Sequence, residues 1–374
     1  MRKYLFISSN EWPNWGGSEL LWSAAAEKLV QRGTEVRVSV WDFAKTLQQV
    51  HRLQSQGCQF FFRKEPSLFS RFAHRVLPLP GYVDRHLRTI GRNMDLIVVS
   101  QGSNTDGLRW MEAALAAGLK YAVIAQGATE YSWADDEVAK RLARCYENAS
   151  CAYFVSKSTL NLSRRQFATP LLNARIVRNP FNVRYDARPS WQGDPRDRLS
   201  LACVGRLETG TKGQDLLLEV LGRPQWRERN VRVSLVGKGL NERALRHMAD
   251  ELKLTTVDFA GHSNDIEQVW SRHHALVLPS RHEGMPLTVV EAMLCGRPCI
   301  ATDVAGNREL IRDGVNGFLA KAPTVDLLDE VMSAAWNARD RLREMGETAA
   351  TDVRKWVSKD PAEDFARELE ALLD

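Results

Sequence analysis

Short apolar, β-branched runs alternate with amphipathic helical stretches along this chain, and the alternation runs through once and then starts again. No other feature constrains the fold as much. Strands separated by helices cannot pair as hairpins. They need crossover connections, which build a parallel sheet covered by helices on both faces. In the first half the spacing predicts strands at 3–9, 35–41, 58–62, 95–100, 121–126, 152–156 and 175–178, with helices such as 18–32 and 135–148 between them. In the second half it predicts strands at 199–205, 231–237, 256–260, 275–279, 298–302 and 317–320. The helices between these run at about 212–221, 241–252, 266–272, 287–294 and 308–311. After Asn179-Pro180 comes a strand-poor stretch with Pro189, Gly193 and Pro195, a linker composition. The expected architecture is α/β: two Rossmann-like domains, 1–182 and 190–357, facing each other across a cleft. Open α/β sheets bind ligands beyond the carboxyl ends of their strands, so chemistry is sought in the loops that follow each strand.

The 374 residues suffice for two such domains, each with its own core. Six cysteines, at 58, 145, 151, 203, 295 and 299, form no C-x-x-C pair, which argues against zinc and iron–sulfur sites. Cys203, Cys295 and Cys299 lie in apolar runs and read as small core residues. No apolar run approaches the roughly 18–20 residues needed to cross a bilayer. The apolar run after Met1-Arg2-Lys3 is too short for a signal peptide, so a cytoplasmic protein is expected. The net charge of +5 is unevenly spread: residues 1–180 carry 24 Lys and Arg against 15 Asp and Glu, a surplus of +9, and the remainder is at −4. Residues 51–92 hold eight of those cations and two acids. Such a patch is either a solvated face or a seat for an anionic partner, a phosphorylated acceptor or a membrane surface. No nucleic-acid-binding module is present, and no nucleic-acid partner is expected.

Three constellations sit where the pattern places strand ends. Ser280-Arg281-His282-Glu283-Gly284-Met285-Pro286-Leu287 leaves a strand and enters a helix, with Pro286 favoured in a first helical turn. Its N–H groups and the helix dipole make an anion site. Glu283 and Glu291 can each accept hydroxyl protons of a sugar or ribose, at different points of one extended ligand. Gly205-Arg206-Leu207 followed by Lys212-Gly213 puts an arginine fork and a lysine point charge across one turn, a clamp for a diphosphate. It matches neither G-x-G-x-x-G nor the P-loop sequence. Trp15-Gly16-Gly17-Ser18-Glu19 follows the first strand, with Ser18 placed to cap a helix. Trp12 and Trp15 read either as stacking faces for a sugar acceptor or as packing. Gly237-Lys238 and Gly261-His262 follow further strands and read either as nucleotide contacts or as tight turns.

Taken together, these residues resemble the family 4 retaining glycosyltransferases of GT-B architecture. Gly16-Gly17 with Glu19 looks like that family's N-terminal glycine loop. Gly205-Arg206-Leu207 with Lys212-Gly213 looks like its phosphate site, and Glu283 through Glu291 like its E-x7-E motif. Ala301-Thr302-Asp303 through Asn316-Gly317 resembles the segment that follows. The resemblance implies that Arg206 and Lys212 neutralise the nucleotide diphosphate and that Glu291 holds the ribose. It implies that Glu283 meets the donor sugar near the reacting centre and that backbone groups of Gly284, Met285, Pro286 and Leu287 bind sugar or phosphate oxygens. Gly16, Gly17, Gln126, Gly205, Lys238 and His262 are the further donor contacts it implies. The first half would hold a carbohydrate or lipid-diphosphate-linked acceptor and the second a nucleotide-sugar donor, with a C-terminal helix at about 358–374 packing back on the first. No metal or other cofactor is implied. Gln126 stands where the family usually has histidine, so a charged or proton-donating role there is lost. The hinge Asn179-Pro180-Phe181-Asn182 lacks the family's usual glycine.

The expected reaction is hexosyl-type transfer with retention of configuration, in glycan or polysaccharide synthesis. A nucleotide-sugar epimerase or phosphorylase on the same fold, or an inactive nucleotide-sugar-binding protein, is the alternative. If the 51–92 patch meets a membrane, the chain co-sediments with anionic vesicles at low salt, and Arg71→Glu with Arg75→Glu weakens that binding.

Overall fold

The structure, a computed structural model, describes residues 1–10, 15–64 and 82–374. They form two compact units, Met1–Pro180 with Asp360–Asp374, and Phe181–Lys359. The first is built on β1 (Lys3–Ser8), β2 (Glu35–Trp41), β3 (Gln59–Arg63), β4 (Leu96–Gln101), β5 (Tyr121–Ala125), β6 (Cys151–Phe154) and β7 (Ala174–Ile176). The second is built on β8 (Leu199–Val204), β9 (Val231–Val236), β10 (Val257–Gly261), β11 (Ala275–Leu278), β12 (Cys299–Thr302) and β13 (Gly317–Ala320). The sheet orders are β3-β2-β1-β4-β5-β6-β7 and β10-β9-β8-β11-β12-β13. Every strand pairing is parallel. Both units are thus Rossmann-like α/β domains.

The central strands read as unbroken apolar runs because helices cover both of their faces. Tyr4 to Ile7 of β1 and Leu96 to Val99 of β4 are all buried. The order of each sheet reverses at its middle. β1 has β2 on one side and β4 on the other, and β8 has β9 and β11. Connections leave such a pair in opposite directions and open a crevice beyond the strand ends, the place where open α/β sheets take ligands. In the second unit the loops after β8 and β11 meet there.

The helix Gly17–Gln31 buries Leu21, Trp22, Ala25, Ala26 and Leu29, a stripe of helical period. The helix Pro361–Ala371 packs on it and adds Phe365, Ala366 and Leu369 to the same core. Phe365 stands edge-on to Tyr153, ring centroids 5.1 Å apart. Asp360 caps this helix, accepting from the Glu363 N–H at 3.0 Å, and its other oxygen pairs with Lys28 at 2.6 Å. Arg32 pairs with Glu363 at 2.5 Å and with Glu370. Residues 360–374 carry one arginine against six carboxylates. Counted by compact unit, the surplus of +9 becomes +4 and the deficit of −4 becomes +1. The charge split between halves of the sequence is therefore largely removed by the fold.

Two further expectations are corrected. Segment 183–189, read as linker, is fastened to the second unit. Buried Arg297 donates to the carbonyls of Trp270, His273, Cys295 and Ser190 at 2.6–2.9 Å and lies 4.8 Å from the Trp191 ring. Burial lowers its pKa to about 10. Arg354 donates to the carbonyls of Tyr185 and Leu294 at 3.0 and 2.9 Å. Arg63, counted in the basic patch, is 0% exposed. It donates to the Ser39 carbonyl at 2.7 Å and to the Ser8 carbonyl, and lies about 5 Å from the rings of Trp41 and Trp110. Arg71, Arg75 and Trp12 lie outside the described residues. Phe365→Ala should destabilise the first unit by about 3–5 kcal/mol, measured by urea unfolding.

Candidate active site

β8 ends at Val204, and Gly205-Arg206-Leu207 turns the chain into a single helical turn, Thr209–Lys212. The one helix expected from Lys212 is instead two pieces, because the chain breaks at Gly213 and resumes as Gln214–Gly222. Gly213 has φ +64°, and a Cβ there would lie 2.0 Å from the Pro279 carbonyl oxygen. Only glycine lets this turn press onto the end of β11. The loop after β11 is tied to the same turn. The N–H groups of Arg281 and His282 both donate to the Thr211 carbonyl, at 2.8 and 3.1 Å. Arg281 also makes a two-pronged pair with Asp215, both bonds 2.7 Å.

This packing brings Lys212 and Glu283 together from opposite sides of the crevice. Lys212 Nζ lies 2.7 Å from Glu283 Oε1, and the Ser280 hydroxyl donates to the same oxygen at 2.7 Å. The pair is largely shielded from water, with side-chain exposures of 18% and 7%. An ammonium has three N–H donors, so Lys212 can hold Glu283 and still meet an anionic ligand. Arg206 stands apart. Its guanidinium is half-exposed and pairs with Glu208 at 3.4 Å, while its carbonyl is fixed by Gln214 Nε2 at 2.7 Å. In this structure Lys212 pairs with Glu283 and Arg206 with Glu208.

Gly284, Met285 and Pro286 lead into the helix Leu287–Leu294, and the Gly284 carbonyl accepts from the Gly306 N–H at 3.2 Å. Glu291, in the second turn, is only 2% exposed. Its Oε1 accepts both the backbone N–H and the side-chain amide of Asn182, each at 2.9 Å. Burial lifts the Glu291 carboxyl to about 7, and the Asn182 bonds pull the other way. Both bonds fall on one oxygen, which leaves Oε2 for ligand hydroxyls. Sequence reasoning missed Asn182 as the holder of Glu291, since a contact spanning 109 positions leaves no local signal. It also missed Thr288, whose buried hydroxyl has no hydrogen-bond partner among the described residues. A polar residue in the first turn of a helix whose only other polar member is Glu291 was the available clue.

Lys238 and His262 are exposed, and their loops adjoin because the Gly237 N–H donates to the Gly261 carbonyl at 2.8 Å. His262 Nε2 lies 3.0 Å from Asn264 Oδ1. Gly237 has φ +151°, and a Cβ there would sit 1.9 Å from the Gly205 carbonyl oxygen.

In the first unit, Gly16 and not Ser18 occupies the helix N-cap. Glu19 reaches back to the Gly16 N–H at 3.2 Å and takes the Ser18 hydroxyl at 2.5 Å and Asn10 Nδ2 at 3.0 Å. Gly17 opens the helix. Trp15 is partly buried on Trp22, ring centroids 5.3 Å apart, so it supports the core as well as the loop. Gln126, just past β5, is nine-tenths buried. Its Oε1 accepts from Asn179 Nδ2 at 2.8 Å. Gln126 Nε2 and Asn179 Oδ1 have no partner among the described residues. A single hydroxyl satisfies such a donor and acceptor together.

Residues 198–337 match the family described as Glycosyl transferases group 1. That match lies within the second unit, which thus carries a domain of this family. The chain is 26% identical over 271 residues to a GDP-mannose-dependent alpha-(1-6)-phosphatidylinositol monomannoside mannosyltransferase of Mycolicibacterium smegmatis, covering 68% of this chain and 70% of that one. To a UDP-Gal:alpha-D-GlcNAc-diphosphoundecaprenol alpha-1,3-galactosyltransferase of Escherichia coli it is 33% identical over 94 residues, 25% of this chain and 24% of that one. For three other glycosyltransferase relatives the match spans 37% to 43% of the relative's own length. In fold it is similar to Anabaena HepE, crystallised with UDP, with a TM-score of 0.76, 20% identity and coverage of 99% of this chain and 100% of that one. That likeness shows the fold alone: two Rossmann-like α/β domains, as in GT-B glycosyltransferases.

A buried carboxyl lifted from 4.5 to about 7 binds its proton more tightly folded than unfolded. Its contribution is full at acid pH and is lost as pH rises from about 4.5 through 7. Stability should therefore fall across that window, and Glu291→Gln should flatten the fall, as measured by thermal unfolding from pH 4.5 to 8.

Proposed function

We propose that this glycosyltransferase moves a hexosyl-type sugar from a nucleoside-diphosphate sugar to a carbohydrate or lipid-linked acceptor, with retention of anomeric configuration. The observation that carries the reading is the contact of Lys212 with Glu283 at the sheet-reversal edge of the second unit, 2.7 Å long and shared by Ser280. A cation and a carboxylate beside a helix N-terminus can serve the two ends of a scissile sugar–phosphate bond. In this reading the diphosphate takes one N–H of Lys212, the Arg206 fork swung from Glu208, the Thr288 hydroxyl and the N–H groups that open the helix Leu287–Leu294. Glu283 stays on the sugar side and holds a donor hydroxyl. Glu291 Oε2 holds the ribose, with Oε1 braced by Asn182. Lys238 and His262 border the base, and Gly16, Gly17 and Gln126 are further donor contacts of the proposal.

As the sugar–phosphate bond breaks, negative charge grows on the leaving diphosphate, and preformed donors stabilise that charge without a metal being required. The leaving diphosphate accepts the acceptor hydroxyl's proton on the same face of the sugar, which gives retention. The naming of the Escherichia coli relative for a lipid-diphosphate-linked substrate supports an acceptor of that class, and a peripheral membrane position through residues 51–92 fits it. No helix among the described residues is long and apolar enough to cross a membrane.

Thermal-shift screening against UDP, GDP, ADP and dTDP should show one base stabilising over the others. Lys212→Ala should lower kcat about 10²–10³-fold with the fold intact. Full turnover in that variant overturns the diphosphate role, and an inverted product by NMR overturns retention. Epimer formation from the nucleotide sugar alone would favour an epimerase.

A further inference from the structure

Gln126 and Asn179 are buried amides of the first unit that the fold leaves half satisfied. Gln126 follows β5 by one residue, and Asn179 follows β7 by three. β6 lies between those strands. The 2.8 Å contact of the two side chains therefore spans the end of β6, at the edge where open parallel sheets take ligands. The residues are only 7% and 8% exposed. The backbone around them is fixed. The Gln126 N–H donates to the Gln101 carbonyl at 3.3 Å, and the Asn104 N–H donates to the Gly127 carbonyl at 2.8 Å. Next to Asn179, Arg178 donates through Nη1 to the Val155 carbonyl at 2.9 Å. Groups held in such a frame lose little freedom when a ligand arrives.

Within the pair, Asn179 Nδ2 donates to Gln126 Oε1. One donor, Gln126 Nε2, and one acceptor, Asn179 Oδ1, are left without a partner among the described residues. Turning both amides over exchanges their roles and again leaves one donor and one acceptor. Buried polar groups in that state cost free energy until something pairs with them. What is left over selects the ligand. A carboxylate or a phosphate dianion only accepts, and meets Asn179 Oδ1 as acceptor against acceptor. An ammonium only donates, and meets Gln126 Nε2 as donor against donor. A hydroxyl donates and accepts from a single oxygen, and hydroxyls are what a neutral sugar offers. Neither amide titrates, so this selection does not change with pH.

We propose that Gln126 and Asn179 together read one sugar hydroxyl, which makes Asn179 a specificity-determining residue. The proposal rests on the glycosyltransferase reading for the class of ligand, but its test does not depend on turnover. The hydroxyl belongs either to the nucleotide sugar or to the acceptor saccharide, and two arms of one binding experiment separate these. The first titrates UDP-glucose, UDP-galactose, GDP-mannose and their monodeoxy forms. The second titrates methyl α-glucoside, methyl α-galactoside, methyl α-mannoside and their monodeoxy forms. Affinities are measured by saturation-transfer NMR on the wild type, Gln126→Ala, Asn179→Ala and Gln126→Glu. The last keeps an acceptor for Asn179 Nδ2 and removes only the free donor. In one arm, loss of a single hydroxyl should weaken binding to the wild type about 10- to 100-fold. All three variants should bind the full and the deoxy sugar alike, which is the signature of direct coupling. Coupling in the first arm assigns the hydroxyl to the donor, and coupling in the second assigns it to the acceptor. The proposal is overturned if no single hydroxyl matters in either arm, or if its loss weakens the variants as much as the wild type. An ordered water is then the occupant of the pair. It is also overturned if the wild type binds a nucleoside diphosphate but none of the sugars. If no nucleoside diphosphate stabilises the wild type, that result counts instead against the proposed function.

Discussion

The loops that hold the candidate chemistry lie backbone against backbone. The turn at Gly213 rests on the Pro279 carbonyl and Gly237 rests on the Gly205 carbonyl, at distances where any side chain would collide. Everything at the sheet-reversal edge depends on this closeness. It carries Lys212 from the end of β8 within 2.7 Å of Glu283, which follows β11. It also lets Thr211 accept from both Arg281 and His282. A glycine is the one residue that allows such an approach while taking a left-handed backbone. Two short glycine-bearing turns therefore do more to define the site than the charged groups themselves.

The charged groups are arranged in self-paired sets. Lys212 holds Glu283, Arg206 holds Glu208, and Asn182 holds one oxygen of Glu291. A diphosphate bound as proposed would meet cations that already have partners, so its binding would be an exchange of contacts rather than a simple gain. The half-exposed Arg206–Glu208 pair is screened by water and gives way at small cost. The shielded Lys212–Glu283 pair is costlier to part, because an uncompensated buried charge is strongly unfavourable. That difference favours keeping the Lys212–Glu283 contact and adding the ligand to it.

Much of the fold was legible because parallel strands buried on both faces leave continuous apolar runs. Strands such as Glu35–Trp41 and Gly317–Ala320 coincide with the expectation, and the others depart by a residue or two. The candidate residues after β8 and β11 were legible for the same reason, since strand ends locate the loops. Other features left no trace in local sequence. Arg63 lies in a run of cations yet is interior, because Trp41 and Trp110 arrive from other elements to cover it. The linker composition after Pro180 concealed that Arg297 and Arg354 fasten the segment through its carbonyls. Ser18 has the chemistry of a cap, but the chain enters the helix two residues earlier, at Gly16. Tertiary partners decide such cases, and their sequence separation hides them.

The helix Pro361–Ala371 has a consequence for the order in which the molecule can be made. It supplies Phe365, Ala366 and Leu369 to a core whose other members, from Tyr4 to Val177, are translated long before it. The 179 residues of the second unit are synthesised in between. At about 5–20 residues per second, the ribosome leaves the first unit with an uncovered apolar face for roughly ten seconds or more. The second unit is continuous in sequence and can close as soon as it emerges. The first unit is thus started before the second and completed after it, and the nascent chain must shield that face until the helix Pro361–Ala371 arrives.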